Sequence, residues 1–354
     1  METVVVHSIK KNRIGMWSVG LICLGWASDN LRQAQAAPPP VLDSWLSQPQ
    51  DWHRDTDGPI VSLSKSPAFD DTHIFAPLVS FENGQYRLWY CGSTASVQQR
   101  VFQLGLALSR DGRAFRKYNE NPVYAFGDAK HSVLTPTLLR QPGGAVLRED
   151  GRLRMWFSST WFAGGGGLHT LHQATSLDGQ TWSRPSPEQL RHVYAPTIIK
   201  ENQTYRMWYC DVAQDPWVIR HASSRDGIQW RVTPQACLVV DQPWERQRLF
   251  YPAVLKIGGV YQIWYGSYWS RRANTTAIGF AASTDGLSWH KHPANPVLRP
   301  DPQRAWESHY VTSQSVMRLP DGSYRIWYAS RKKPPFVNKY FAINTAIWKP
   351  GNTP

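Results

Sequence analysis

Residues Leu249–Leu298 read LFYPAVLKIGGVYQIWYGSYWSRRANTTAIGFAASTDGLSWHKHPANPVL. Four short apolar runs follow one another, Tyr251–Ile257, Val260–Ser267, Ala277–Ser283 and Leu287–Lys291, each bounded by turn residues. Gly258-Gly259 marks a tight hairpin between the first two runs and Asp285-Gly286 another between the last two, because Gly and Asp tolerate positive φ. The remaining connection, Tyr268 to Thr276, is long and rich in aromatic residues and arginine. Four strands in series predict an antiparallel meander with one irregular loop.

The chain repeats this unit. The core of the second run recurs as Arg87-Leu88-Trp89-Tyr90, Arg154-Met155-Trp156-Phe157, Arg206-Met207-Trp208-Tyr209, Gln262-Ile263-Trp264-Tyr265 and Arg325-Ile326-Trp327-Tyr328. The turn recurs as Ser109-Arg110-Asp111-Gly112, Ser176-Leu177-Asp178-Gly179, Ser224-Arg225-Asp226-Gly227 and Ser283-Thr284-Asp285-Gly286, and the fifth copy lacks it. Periods of about 50 to 65 residues with four strands each predict an all-β, five-bladed β-propeller with antiparallel blades, since one four-stranded blade cannot bury both faces alone. The Trp-Tyr pairs then belong in the seams between blades, and Asp111, Asp178, Asp226 and Asp285 cap turns.

The blades are expected at Phe69–Tyr124, Asp128–Pro185, His192–Val240, Glu245–Leu298 and Glu307–Trp348. Gly58-Pro59-Ile60-Val61-Ser62-Leu63 resembles Asn121-Pro122-Val123-Tyr124 and Asn295-Pro296-Val297-Leu298, which trail the fourth strand of other units. An N-terminal strand is therefore expected to complete the fifth blade and close the ring, which removes exposed sheet edges.

Ahead of the repeats, Lys10, Lys11 and Arg13 precede an apolar run from Ile14 to Ala27, and Ala34-Gln35-Ala36 offers small residues for cleavage. Residues 1–36 thus read as an export signal, 37–57 as a Pro-rich linker or N-terminal extension, 58–348 as the propeller and 349–354 as a tail. The expected location is secreted or periplasmic, with no membrane contact after cleavage. Cys91, Cys210 and Cys237 read as thiols, neither a disulfide framework nor a metal site. The formal charge is +13; residues 1–36 hold four basic and two acidic side chains, so their loss leaves +11. No basic run exceeds Arg331-Lys332-Lys333, which argues against nucleic acid and for a glycan, one carrying anionic groups, as the partner.

The recurring pattern of a first-strand Pro, Gly-x-Tyr-x-Met/Ile-Trp-Tyr, Ser-x-Asp-Gly-x-x-Trp and Asn-Pro-Val-Leu resembles the five-bladed propeller glycosidase superfamily of arabinanases, β-xylosidases, invertases and levansucrases. The resemblance covers residues 58–348. It implies a glycoside hydrolase whose site lies on the channel face, built from the starts of the first strands and the connections between second and third strands. The superfamily usually places Asp before the first blade's anchor proline, Asp shortly after the second's and Glu at the start of the third. Here those places read Ala76-Pro77, Thr135-Pro136-Thr137 and Ala195-Pro196-Thr197, so an acid and a base must come from the preceding loops, or the chain binds without cleaving.

Aligned on the anchor Pro77, Pro136, Pro196, Pro252 and Gln314, the seventh position upstream holds Asp70, Ala129, Gln189, Glu245 and Glu307. Glycosidic cleavage needs a protonated carboxyl and a second carboxylate, which makes Asp70, Asp71, Glu245 and Glu307 the catalytic candidates. Nearer the anchor stand His73, His131, His192, Arg248, His309 and Tyr310, then Tyr194 and Tyr251. The irregular loops add Trp161-Phe162, Asp211, Asp215-Pro216-Trp217, Trp269, Arg271 and Arg331. Aromatic faces stack on the apolar faces of sugar rings, and arginines hold anionic groups bidentately. No cofactor or metal is called for by these spacings. A lectin-like protein and a phosphate-using glycoside phosphorylase are the alternatives to hydrolysis.

Overall fold

A computed structural model describes residues 37–164, 167–268, 275–332 and 342–351. Its strands form five separate four-stranded antiparallel sheets. The first four blades are sequential meanders, beginning with strands His73–Glu82, Ser132–Leu138, Val193–Glu201 and Arg246–Ile257. The fifth comprises Tyr310–Arg318, Tyr324–Arg331 and Ala342–Trp348, with Val61–Ser62 paired to Ala342 and Ile343 at its outer edge. The first strand of each blade packs against the first strand of the next, around the axis.

The repeated motifs hold neighbouring blades together. Trp89 Nε1 donates to the Gly179 carbonyl at 2.9 Å, Trp156 to Gly227 at 2.8 Å, Trp208 to Gly286 at 2.7 Å and Trp327 to Gly112 at 2.9 Å. Each buried indole thus finds its acceptor in the Asp-Gly turn of the following blade. The repeat's Arg strengthens the same junction, with Arg87, Arg154 and Arg206 donating to the carbonyls of Asp178, Asp226 and Asp285. The Asp side chains are occupied inside their turns. Asp226 Oδ1 accepts from the backbone N–H of Ile228 and Gln229, and these bonds push its carboxyl down to about 2.

The fifth blade has no such turn, and the N-terminal segment takes its place. Gln50 Oε1 accepts from Trp264 Nε1 at 3.0 Å, where the fourth blade's indole would otherwise lack a partner. The fourth blade also carries Gln262 where the other four have Arg, in keeping with the missing carbonyl. Asp55 receives Arg325 bidentately at 3.0 and 2.8 Å. Residues 37–57, read as a linker or N-terminal extension, pack on the fourth and fifth blades. They form a short turn, Pro40–Leu42, and a helix, Asp43–Ser47, that bury Leu42, Trp45, Leu46 and Trp52 in a cluster with Trp264, Tyr324 and Trp348. The apolar spacing of that segment, hidden behind three prolines, outweighs its linker-like composition. The expected signal segment, residues 1–36, lies outside the described residues. Among the described residues no helix is long and apolar enough to cross a membrane, and Cys91, Cys210 and Cys237 are free thiols.

Each first strand is interrupted at an equivalent position, and that of the fourth blade also between Arg246 and Leu249. Register shifts fall between Phe75 and Leu78, Leu134 and Thr137, Tyr194 and Thr197, Phe250 and Ala253, and Thr312 and Ser315. The residue before the anchor is left-handed in every blade: Ala76 (φ 52°), Thr135 (46°), Ala195 (51°), Tyr251 (53°) and Ser313 (47°). Non-glycine residues avoid this region, more so before proline, so a fivefold bulge around the axis is a feature the surrounding sheets impose. It turns the chain between two openings of the channel.

Candidate functional site

One opening, a cleft of about 250 Å³, is lined by residues that precede the bulges and by the connections between second and third strands. Phe75, Tyr194, Phe250, Tyr251 and Tyr310 come from the first strands; Arg100, Phe102, Phe162, His169, Trp217, Tyr268 and Thr276 come from or flank the connections. A second cavity, about 240 Å³, lies beyond the bulges and is walled by Pro77, Pro136, Pro196 and Pro252 with the first hairpins. Its walls mix prolines and aliphatic residues with Arg140, Lys200, Glu201 and Lys256, whereas the first opening concentrates aromatic rings, with Arg100 and Arg248 among them. Tyr251 touches both.

Within the mouth, Tyr194 and Tyr251 share a short hydroxyl–hydroxyl bond of 2.6 Å. The His169 ring lies 4.6 Å from the Tyr194 ring, and Trp217 lies 6.1 Å from it. Arg248 stands over Trp217 at 4.3 Å and binds Asp215 through two bonds of 2.6 and 2.8 Å. That carboxylate holds the guanidinium above its usual range and is itself held below the usual carboxylate range by it. The Arg100 guanidinium lies 3.7 Å from the centre of the Phe162 ring, and Arg331 lies 3.6 Å from that of Tyr310. Tyr268 packs its edge on Phe250 and faces Tyr310 at 6.4 Å. The mouth therefore offers aromatic faces with Arg N–H and Tyr O–H donors between them, a mixture suited to a ligand with apolar faces and many hydroxyls.

Among the described residues that line this cleft there is no carboxylate. None of the four catalytic candidates, Asp70, Asp71, Glu245 and Glu307, is among its lining residues. Asp70 is 1% exposed; its Oδ2 accepts from Tyr90 Oη at 2.8 Å and from Lys117 Nζ. Glu245 repeats the arrangement with Tyr265 at 2.6 Å and Lys291 at 2.7 Å, and Glu307 repeats it with Tyr328 at 2.7 Å and Arg54. The tyrosine is always the one in the Trp-Tyr pair and the cation always sits at the outer edge of the blade. Where the second blade has Phe157, which carries no hydroxyl, the matching position is Ala129. The third has Gln189, whose Oε1 accepts from Trp230. Asp70, Glu245 and Glu307 are thus buried, each tied to a tyrosine hydroxyl of its own blade and to a cation. Asp71 is half-buried, accepts from Thr72 Oγ1 at 2.8 Å and is not among the lining residues of the mouth.

Of the expected binding residues, Tyr194, Arg248, Tyr251 and Tyr310 meet in the mouth. His309 is buried behind it, stacked on Tyr310 at 4.9 Å. His73 is buried with Nε2 against the Ala95 carbonyl at 3.1 Å. His131 pairs with Asp128 at 2.8 Å toward the seam of the first two blades, His192 is exposed at a left-handed position (φ 62°), and Asp211 is bound to Arg220 at 2.7 Å. The column of histidines thus scatters. Trp269 and Arg271 lie outside the described residues. Sequence reasoning missed Arg100, Phe102 and His169. The signal was present, because all three flank connections between second and third strands, the class already singled out. Among the described residues no group of three or more His, Cys, Asp or Glu is gathered so as to hold a metal ion.

No protein-family model matches the chain. It is 25% identical over 209 residues to an uncharacterized protein of Mycobacterium tuberculosis, covering 55% of this chain and 67% of that protein. It is 30% identical over 158 residues to a 1,2-beta-oligomannan phosphorylase of Thermoanaerobacter, covering 44% of this chain and 48% of that enzyme. Among solved structures, one described as a glycoside hydrolase superposes with a TM-score of 0.67 at 16% identity, covering 88% of this chain and 95% of that one. Another comes from work on the GH130 family of mannoside phosphorylases, said to contain glycoside hydrolases that target beta-1,2 mannosidic linkages in Candida mannan; it superposes with a TM-score of 0.65 at 14% identity over 85% and 94% of the chains. The chain has the five-bladed propeller fold of these glycoside hydrolases and phosphorylases.

Proposed function

We propose that this propeller is carbohydrate-active and that its mouth takes the end of an oligosaccharide. The observation that carries this reading is the ring of aromatic side chains contributed by every blade, interleaved with Arg100, Arg248 and the Tyr194–Tyr251 pair. Sugar rings stack on such faces, and Arg and Tyr donors match hydroxyl or anionic oxygens. Hydrolysis by two carboxylates, the first expectation, needs two carboxyls at the bond; Asp70, Glu245 and Glu307 instead bond tyrosines within their blades, and no carboxyl is among the described lining residues.

A second reading, phosphorolysis, is favoured by the cations at the mouth and by the similarity to the oligomannan phosphorylase. In that case inorganic phosphate is the attacking group, and only the leaving oxygen requires a proton. Both readings are separated by one experiment on the full chain: a glycan array, followed by sugar release from the bound glycans with and without phosphate. Binding without release supports the binding propeller; release that depends on phosphate supports the phosphorylase. No binding to any glycan overturns both.

A further inference from the structure

Outside the mouth, a groove of about 970 Å³ lies between the first two blades, bounded by residues 118–128 and 180–187. Its walls carry Tyr118, Phe126 and Trp182, with Gln180, Ser183 and Ser186 between them. The rings are fixed: Tyr118 Oη donates to Gln180 Oε1 at 2.9 Å and Trp182 Nε1 to the Gly179 carbonyl at 3.2 Å. Tyr124, only 7% exposed, lies beneath at 6.2 Å from Trp182. Toward the channel face the strip continues from Phe126 to His131 at 5.0 Å and from His131 to Trp161 at 6.5 Å. Trp161 is 38% exposed, and the next residue, Phe162, lines the mouth.

We propose that this seam is an elongated saccharide-binding surface continuous with the mouth, so that the ligand is a glycan chain of several sugars with only its end in the cleft. The inference rests on the reading of the mouth as a sugar site and adds what lies beyond it. Held rings bind with little loss of side-chain freedom, and their spacing along the seam presents successive faces to successive sugars. Charge favours a neutral polymer here. Glu120, Asp128 and Arg184 line the groove, and Asp128 is already bonded to His131, whereas the mouth is basic. The same balance argues against a nucleic acid, which needs a run of uncompensated cations.

The test is calorimetric titration of the full chain with β-1,2-linked mannose oligosaccharides graded from disaccharide to octasaccharide. Wild-type affinity is expected to rise at least ~10-fold along the series, about 1.4 kcal/mol. Trp182→Ala and the exposed Trp161→Ala are expected to flatten that rise and leave disaccharide affinity unchanged, while Trp182→Phe restores most of it. Trp217→Ala in the mouth is expected to weaken every length alike. A wild-type affinity independent of length overturns the seam and leaves the mouth standing. So does a length dependence that survives both seam variants. Loss of disaccharide binding in Trp161→Ala assigns that ring to the mouth and likewise overturns the proposal, and failure of every length to bind overturns the seam as a surface for this polymer, while the mouth stands or falls with the glycan array.

Discussion

Glu245 shows how a residue's type and its role part company. A carboxylate at the start of a propeller strand resembles a catalytic acid, yet Tyr265 and Lys291 hold it inside the fourth blade. Lys291 also reaches Asp241 at 2.6 Å, so loss of the Glu245 charge leaves the cation paired and weakens the bonds from Tyr265 and the backbone, at a cost of about 1–3 kcal/mol. Glu245→Gln is therefore expected to lower the unfolding midpoint in a denaturant titration by an amount of that order, with saccharide affinity unchanged. A loss of affinity without a loss of stability would return Glu245 to the site. Tyr251 is the opposite case. Its hydroxyl reaches Tyr194 from a left-handed backbone position, so Tyr251→Phe is expected to keep the fold and weaken sugar binding roughly tenfold, the scale of one hydrogen bond, as read by titration with an array-selected glycan.

At the scale of elements, the Trp-to-turn bond makes every blade but the fourth depend on the one after it. Gly286 has φ +72°, and a Cβ there would stand 2.8 Å from Trp208 Cζ2 and 3.1 Å from Arg206 Nη2. Gly286→Ala both strains the backbone and crowds the junction, and a loss of about 1–3 kcal/mol is expected in chemical denaturation. Gln50 tests the substitute junction. Its Oε1 is the acceptor for Trp264 and also for Trp52, so Gln50→Ala leaves buried indole N–H groups unsatisfied, at about 1–3 kcal/mol. An unchanged midpoint would mean that the N-terminal segment contributes packing alone. The pairing of Gln262 with a missing turn and of Phe157 with a missing acid was legible in the chain, because both are departures from an otherwise regular repeat. What such departures meant required knowing which segments face each other.

Across the whole molecule, buried imidazoles couple stability to pH. Burial, and secondarily Arg206, pushes His221 from 6.5 down to about 4. Arg206 Nε donates to its Nε2 at 3.2 Å and its Nδ1 meets Thr233 Oγ1 at 2.8 Å, so the neutral ring is the one the fold accommodates. Burial lowers His172 and His292 as well. The unfolded chain takes up these protons near pH 6.5 and the folded chain does not until lower pH, so stability is full above about 6.5 and falls as pH drops toward 4. For His221 the loss is roughly 2–3 kcal/mol over that window. His221→Gln is expected to reduce the difference between melting temperatures at pH 7 and pH 5; an unchanged difference would place the sensitivity in other groups.

The sequence by itself determined the architecture: five repeats of a strand pattern, the indoles for the seams and the Asp-Gly turns that receive them. It could do so because these features are periodic, and an error in any one copy is corrected by the others. The site was legible only as a region, the strand starts and the irregular connections, and Tyr194, Arg248, Tyr251 and Tyr310 followed from that map. Only the tertiary structure decided which way each side chain turned. The fivefold bulge sends residues just before the anchor toward the channel, while residues seven positions upstream, Asp70, Glu245 and Glu307, turn into the blades, where a tyrosine hydroxyl and a cation satisfy them. That choice depends on partners brought together across the blades, and no local spacing encodes it.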